Sequence, residues 1–166
     1  MVVLFGGPAG SGKSTLARAW CATRPRAAHI ELDEVRHLIV SGLADPQETG
    51  TLQAEQYELA VDASCRLAHA FFDGGYDVAV DDVFEPAAFD RYWRPRLDGV
   101  PWKLVVVLPS LDQTIGRAAG RTKRVREEHI RTQHERCAEW EAAVRVDTTG
   151  LDLAQSLALV QERLAG

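Results

Sequence analysis

Gly6-Gly7-Pro8-Ala9-Gly10-Ser11-Gly12-Lys13-Ser14-Thr15 is the stretch on which the reading of this 166-residue chain turns. From Gly7 onward it fits G-x-x-x-x-G-K-[ST], the phosphate-binding loop, without a mismatch. Its flanks supply the required context. Val2-Val3-Leu4-Phe5 is an apolar run of buried-strand type, and Leu16-Ala17-Arg18-Ala19-Trp20-Cys21 continues as a helix. The glycines let successive backbone N–H groups turn inward around an anion. The helix starting near Gly12 adds its unpaired N–H groups and the positive end of its dipole. Lys13 is expected to reach the β- and γ-phosphates, and the Ser14 hydroxyl to ligate Mg²⁺. Gly7, Pro8, Ala9, Gly10, Ser11, Gly12, Lys13, Ser14 and Thr15 are thus the expected nucleotide-binding residues. A small-residue turn that binds nothing is the alternative, and the complete motif in its proper context weighs against it.

Outward from this loop, apolar runs alternate with helical patterns, the signature of βαβ units and a parallel sheet. The strands are expected at 2–6, 27–32, 77–82, 102–108 and 144–148. Asp45-Pro46-Gln47-Glu48 carries helix-start signals and predicts a long helix to about Phe72, ended by Gly74-Gly75. Ser110-Leu111-Asp112-Gln113 repeats that logic after the fourth strand, and Thr149-Gly150-Leu151-Asp152 before the last helix. Pro86 and Pro95 bracket a shorter aromatic helix, Ala87–Arg94. The expected fold is α/β, a three-layer phosphate-loop NTPase architecture with a five-stranded parallel sheet and a small helical lid at about 112–128. Residues 1–166 read as a single domain.

The composition is that of an ordinary globular protein, 46% hydrophobic and 26% charged. A net charge of −5 argues against a general nucleic-acid or anionic-membrane partner. Cys21, Cys65 and Cys137 are far apart, form no C-x-x-C pair, and read as small apolar side chains in helices. With neither a leader nor a membrane-spanning run in the sequence, a reduced cytoplasmic setting is expected.

In an open α/β sheet, ligands sit outside the carboxyl ends of the strands. Asp33, after the second strand, is therefore expected near the transferred phosphate, where a carboxylate takes a proton from an attacking hydroxyl. Arg36, one helical turn on, would fix that carboxylate or the acceptor. The plainer reading makes Asp33 a helix cap with Arg36 as its surface ion-pair partner. The third strand ends in Asp81-Asp82, and alternation aims the two carboxylates at opposite faces. Asp81 is assigned to the metal, directly or through Ser14, and Asp82 to the acceptor pocket. Phe84, Phe89, Tyr92, Trp93 and Trp102 cluster around the third and fourth strands; some belong to the core, while those after Asp82, with Phe84 foremost, can wall that pocket.

Arg117, Arg121 and Arg124 recur at i, i+4 and i+7, one face of a helix. Like charges stacked this way repel, so an anion facing them is a physical reason for the pattern. Triphosphate is the expected anion. Gly116 and Gly120 weaken the same helix, as a closing lid tolerates. The alternative is a solvated basic face paired to Glu127, Glu128 and Glu135. The histidines assemble no site by spacing: His129 and His134 are five apart and no H-E-x-x-H occurs.

Taken together, the chain resembles the small phosphate-loop kinases typified by chloramphenicol phosphotransferase, with gluconate kinase and the zeta-toxin kinases as wider relatives. The residues that carry the resemblance are Val80-Asp81-Asp82-Val83-Phe84 with the aromatic-basic helix to Arg94, the lid Gly116-Arg117-(x)3-Arg121-(x)2-Arg124-Val125, and Val146-Asp147-Thr148-Thr149. It implies ATP as donor, Mg²⁺ as cofactor and a hydroxylated small molecule, antibiotic or metabolite, as acceptor. It further implies that Asp33 is the base, that Arg117, Arg121 and Arg124 are lid arginines, and that the loop around Thr148 holds the nucleotide base. Segment 37–60 shows no match to the chloramphenicol enzyme, and Asp33-Glu34-Val35-Arg36 is closer to the D-x-x-R pattern of the wider relatives. The expected activity is therefore ATP:alcohol phosphotransfer, with the acceptor, the choice of ATP over GTP and the oligomeric state left open. A nucleotide-dependent ATPase or switch, and a polynucleotide 5′-kinase, are the competing readings.

Overall fold

Five short strand segments build the centre of the protein, the middle three largely buried and the two at the edges partly open to solvent. In the computed structural model, which describes residues 1–45, 50–120, 125–140 and 144–165, they are β1 (Val2–Gly6), β2 (Ala27–Glu31), β3 (Asp77–Asp81), β4 (Trp102–Val107) and β5 (Val144–Val146). All pair in parallel, in the order β2-β3-β1-β4-β5. Every residue of β1 is buried, as expected for the middle strand of a sheet covered on both sides.

Side-chain alternation splits the core in two. Val3, Phe5, Ala79, Val105 and Val107 face α1 (Lys13–Ala22) and the last helix, α7 (Leu153–Ala165), where Leu16, Trp20, Val160 and Leu164 meet them. Val2, Leu4, Val78, Val80 and Val106 face the other way, onto Ala60, Val61 and Cys65 of α3 (Thr51–Asp73). The same layer holds the aromatic segment, where α4 (Pro86–Ala88) runs into a π-helical turn (Phe89–Trp93) and a 3-10 turn (Arg94–Leu97). Between β2 and α3 lies a short helix, α2 (Leu32–Arg36); between β4 and β5 lie α5 (Leu111–Ala119) and α6 (Glu127–Glu139).

Several local expectations hold. Gly74 caps α3 and Gly75 takes a positive φ. Ser110 Oγ accepts from the Gln113 N–H, and Asp152 and Gln155 close a reciprocal capping box ahead of α7. Others are corrected. α3 opens at Thr51 with Gly50 as its cap, so Asp45-Pro46-Gln47-Glu48 does not start it, and residues 46–49 lie outside the described residues. Pro95 does not end the aromatic helix but sits inside its 3-10 continuation, where an early-turn position needs no N–H. All three cysteines are free thiols; burial pushes Cys65 up to about 12 and Cys137 up to about 11, so neither is a thiolate at neutral pH. Among the described residues no helix is long and apolar enough to cross a membrane.

The loop after β1 is held tightly between neighbours. A Cβ on Gly7 would lie 2.4 Å from the Val107 carbonyl oxygen, and one on Gly10 would lie 2.3 Å from that of Thr114, with φ at +90°. Neither approach is compatible with a side chain. Gly10→Ala should therefore cost about 1–3 kcal/mol of stability, whereas Gly116→Ala, inside α5 with open space around it, should add about 0.5–1 kcal/mol. Chemical denaturation of the two variants beside the parent checks both signs.

Candidate active site

Three strand ends deliver the site to the carboxyl edge of the sheet. After β1, the loop runs into α1, whose first residue is Lys13 and whose cap is Gly12 in the left-handed region. No side chain caps this helix, and its first turn carries no acidic residue. Its leading N–H groups are thereby left for an anion. Ser11 is fully buried and its Oγ has no partner among the described residues, a further polar atom turned toward the loop's interior. Lys13 makes no ion pair among the described residues.

After β3, Asp81 and Asp82 take the opposite faces that alternation predicts. Asp81 is buried toward α1, where Ser14 Oγ donates to its Oδ1 at 2.7 Å. Its other oxygen meets His29 Nε2 at 2.5 Å. Ser14 and Asp81 thus offer a hydroxyl and a carboxylate, hard oxygen donors that suit Mg²⁺. Asp82 turns toward α3, where the Tyr57 hydroxyl donates to it at 3.0 Å and the Trp93 indole N–H donates to Tyr57 at 3.1 Å. Burial pushes the Asp82 carboxyl up to about 6 and the nearby Asp33 charge adds to this, while the Val83 N–H, the Tyr57 hydroxyl and Lys13 pull it down. Burial likewise raises the Tyr57 phenol far above its usual range.

After β2, Asp33 lies in the first turn of α2, exposed at the surface of a cavity; the cap position belongs to Glu31. The plainer reading of Asp33 as a cap is thus corrected, and so is that of Arg36 as a surface partner. Arg36 is only 5% exposed, donates to the Ala44 carbonyl at 3.3 Å, and leaves its buried Nε without a partner among the described residues.

Two cavities open on the two sides of the loop. The larger, about 900 Å³, brings together Ala9, Lys13, Asp33, Arg36, Tyr57, Asp82 and Tyr92 with Arg126, His129, Gln133 and Arg136 of the α6 region. The smaller, about 300 Å³, is lined by Gly10, Ser11, Gly12, Thr15, Arg117, Thr148 and Asp152. Thr148 is buried with its Oγ1 unpaired among the described residues, as a group aimed at a ligand would be. Arg117 sits over the loop, its Nη1 3.4 Å from the Ser11 carbonyl oxygen. The helix that carries it ends at Ala119 with Gly120 as cap. Arg121 and Arg124 lie outside the described residues.

Phe84 borders the larger cavity, yet its ring is fully buried, edge-on to Phe89 and Trp93, and its φ of 49° marks the turn leaving β3. Phe89, Trp93 and Trp102 belong to the same aromatic core, whereas Tyr57 and Tyr92 line the larger cavity. Two residues escaped the sequence reading. His29 is found by register: it shares a face of β2 with Glu31, which pairs with Asp81 across the sheet, and the three side chains gather within 4.8 Å. Glu31 is in turn bonded by Arg18 of α1 at 2.7 Å. Gln133 has no sequence signal, since its contact, the Ala9 N–H donating to its Oε1 at 3.1 Å, spans 124 positions.

A glycine cradle, an uncapped helix start and a carboxylate behind the loop serine define a phosphate-loop protein of the nucleoside-triphosphate-binding class. The chain belongs to the AAA domain family, which it matches over residues 2–140. No curated protein matches the sequence. Solved structures share the fold at low identity. The tunicamycin resistance protein of Deinococcus radiodurans is 18% identical, with a TM-score of 0.71 over 99% of this chain and 93% of its own. A gluconokinase from Sinorhizobium meliloti is 20% identical, with a TM-score of 0.69 over 99% and 91%. A sugar kinase from a Janibacter species is 16% identical, with a TM-score of 0.71 over 99% and 94%.

The raised carboxyl of Asp82 has a consequence for stability. Between about pH 4 and pH 6 the folded chain holds a proton there that the unfolded chain releases, so stability falls as pH rises through that window. Asp82→Asn removes this slope. Its advantage over the parent in urea unfolding should grow from pH 4 to pH 6.5 and then level off.

Proposed function

We propose that this protein is an ATP-dependent phosphotransferase that moves the γ-phosphoryl group to a hydroxyl of a small molecule. The observation that carries this reading is the pair of cavities on the two sides of the phosphate loop, with Lys13 and Asp33 on the same wall of the larger one. An ATPase has no use for a second cavity of that size. The family and the kinases that share this fold support the same reading.

The nucleotide lies with its phosphates along Gly7–Thr15 and its base toward Thr148 and Arg117, and the acceptor occupies the larger cavity. Asp33 takes the proton of the acceptor hydroxyl as its oxygen attacks the γ-phosphorus in line. The bond from that phosphorus to the β–γ bridging oxygen breaks, and ADP leaves with the electron pair. Lys13 offsets the charge on the transferring group, joined by Arg117 and, from the lid, Arg121 and Arg124. Mg²⁺ would be held by Ser14 with Asp81 behind it, and would supply positive charge to the triphosphate. Arg36 and Asp82 bind the acceptor, and Phe84 contributes only to the floor of its cavity. ATP is the assigned donor, and GTP is the alternative to be tested beside it.

The acceptor is a metabolite or an antibiotic, and one experiment finds its class. The protein is incubated with γ-labelled ATP and separate pools of hydroxylated metabolites, antibiotics and oligonucleotides. Label is expected in one of the small-molecule pools; label only in free phosphate would instead make the protein an ATPase, and label in oligonucleotides a polynucleotide kinase. With the labelled acceptor in hand, Asp33→Asn should lower transfer by about 10²–10⁴-fold while ATP affinity stays within twofold.

A further inference from the structure

The face of α6 turned toward the loop carries His129, Gln133 and Arg136, spaced four and three residues apart, with Arg126 ahead of it at the cap position. Arg136 is engaged by Glu85. Gln133 differs from the others in reaching the phosphate loop itself, where its Oε1 accepts the Ala9 N–H at 3.1 Å. A glutamine amide has one acceptor oxygen and two N–H donors. With the oxygen taken, the orientation of the group is set, and among the described residues Nε2 has no acceptor.

The two cavities divide the loop between them. Gly10, Ser11 and Gly12 line the smaller one, whereas Ala9 and Lys13 line the larger one together with Gln133 and Asp33. In a transfer reaction the terminal phosphoryl group is the part of the nucleotide that must face the acceptor. It therefore lies on the Ala9–Lys13 side, where a lysine and an amide donor both lack an anionic partner among the described residues. We infer that Gln133 reads the terminal phosphoryl group of the bound nucleotide, its amide N–H groups donating to a γ-oxygen while its carbonyl stays on the Ala9 N–H. This inference rests on the phosphotransferase reading above. The role makes Gln133 a discriminator of ATP from ADP, because ADP presents no oxygen at that place.

Two substitutions separate this role from simple bracing of the loop. Gln133→Glu keeps an acceptor for the Ala9 N–H but removes the donors and sets a negative charge against the γ-phosphate. Gln133→Ala removes both contacts. Calorimetric titration of the full chain with Mg-ATP and with Mg-ADP gives the ratio of the two Kd values for each protein. The parent should favour ATP. Gln133→Glu should lower that preference tenfold or more, almost entirely through ATP, with ADP affinity within twofold; Gln133→Ala should lower it by about three- to tenfold. An unchanged ratio in both variants overturns the inference, and so does an equal weakening of ATP and ADP, the mark of a residue that only braces the loop. If the parent binds neither nucleotide, the phosphotransferase reading itself fails and takes this inference with it, an outcome distinct from the other two.

Discussion

Everything in this site depends on a helix that begins without a protein cap. α1 starts at Lys13, beyond a left-handed Gly12, with no side chain on its leading N–H groups and no acid in its first turn. Side chains close two other helix starts, Ser110 at α5 and Asp152 at α7, whereas α2, α3 and α6 also begin without a side-chain cap. An uncapped start at the carboxyl edge of a sheet is costly unless an anion meets it. The glycines around it are required twice, by backbone conformation and by the carbonyls of Val107 and Thr114 lying where a Cβ would go. The loop is thus fixed in shape by packing against β4 and α5.

A second constraint is the alternation of β3. Two consecutive aspartates leave the strand on opposite faces and meet different chemistry. Asp81, between Ser14 and His29, sits among polar partners next to the loop serine. Asp82, one residue on, is pressed into the layer of Tyr57 and Trp93, and its carboxyl rises to about 6. One strand end therefore provides a group suited to stand behind a metal ligand and a group suited to a half-dry cavity. The aromatic residues after Asp82 lie beyond the strand, Phe84 in the turn and Phe89 and Trp93 in the π-helical segment, and their mutual packing buries them in the core.

Much of this was legible in the chain itself. The phosphate loop, the five parallel strands, the opposed faces of Asp81 and Asp82, and the caps of α5 and α7 follow from local pattern, because backbone conformation and side-chain alternation are set by neighbours in sequence. The start of α3, the end of α5 and the burial of Arg36 were not. Gly50 rather than Asp45 opens α3, and Gly120 ends α5 before Arg121, so signals that compete locally were decided by how the segments pack.

Sequence alone determined that a phosphate loop stands between a buried strand and a helix, and that carboxylates follow the next two strands; each is a matter of residues close together in the chain. Tertiary structure decided which groups complete them. His29 reaches Asp81 because β2 and β3 pair in a register that sets Glu31 beside Asp81. Gln133 reaches Ala9 because α6 folds back across the loop. No local pattern encodes either contact, since partners 52 and 124 positions apart meet only when the sheet order and helix packing bring them together.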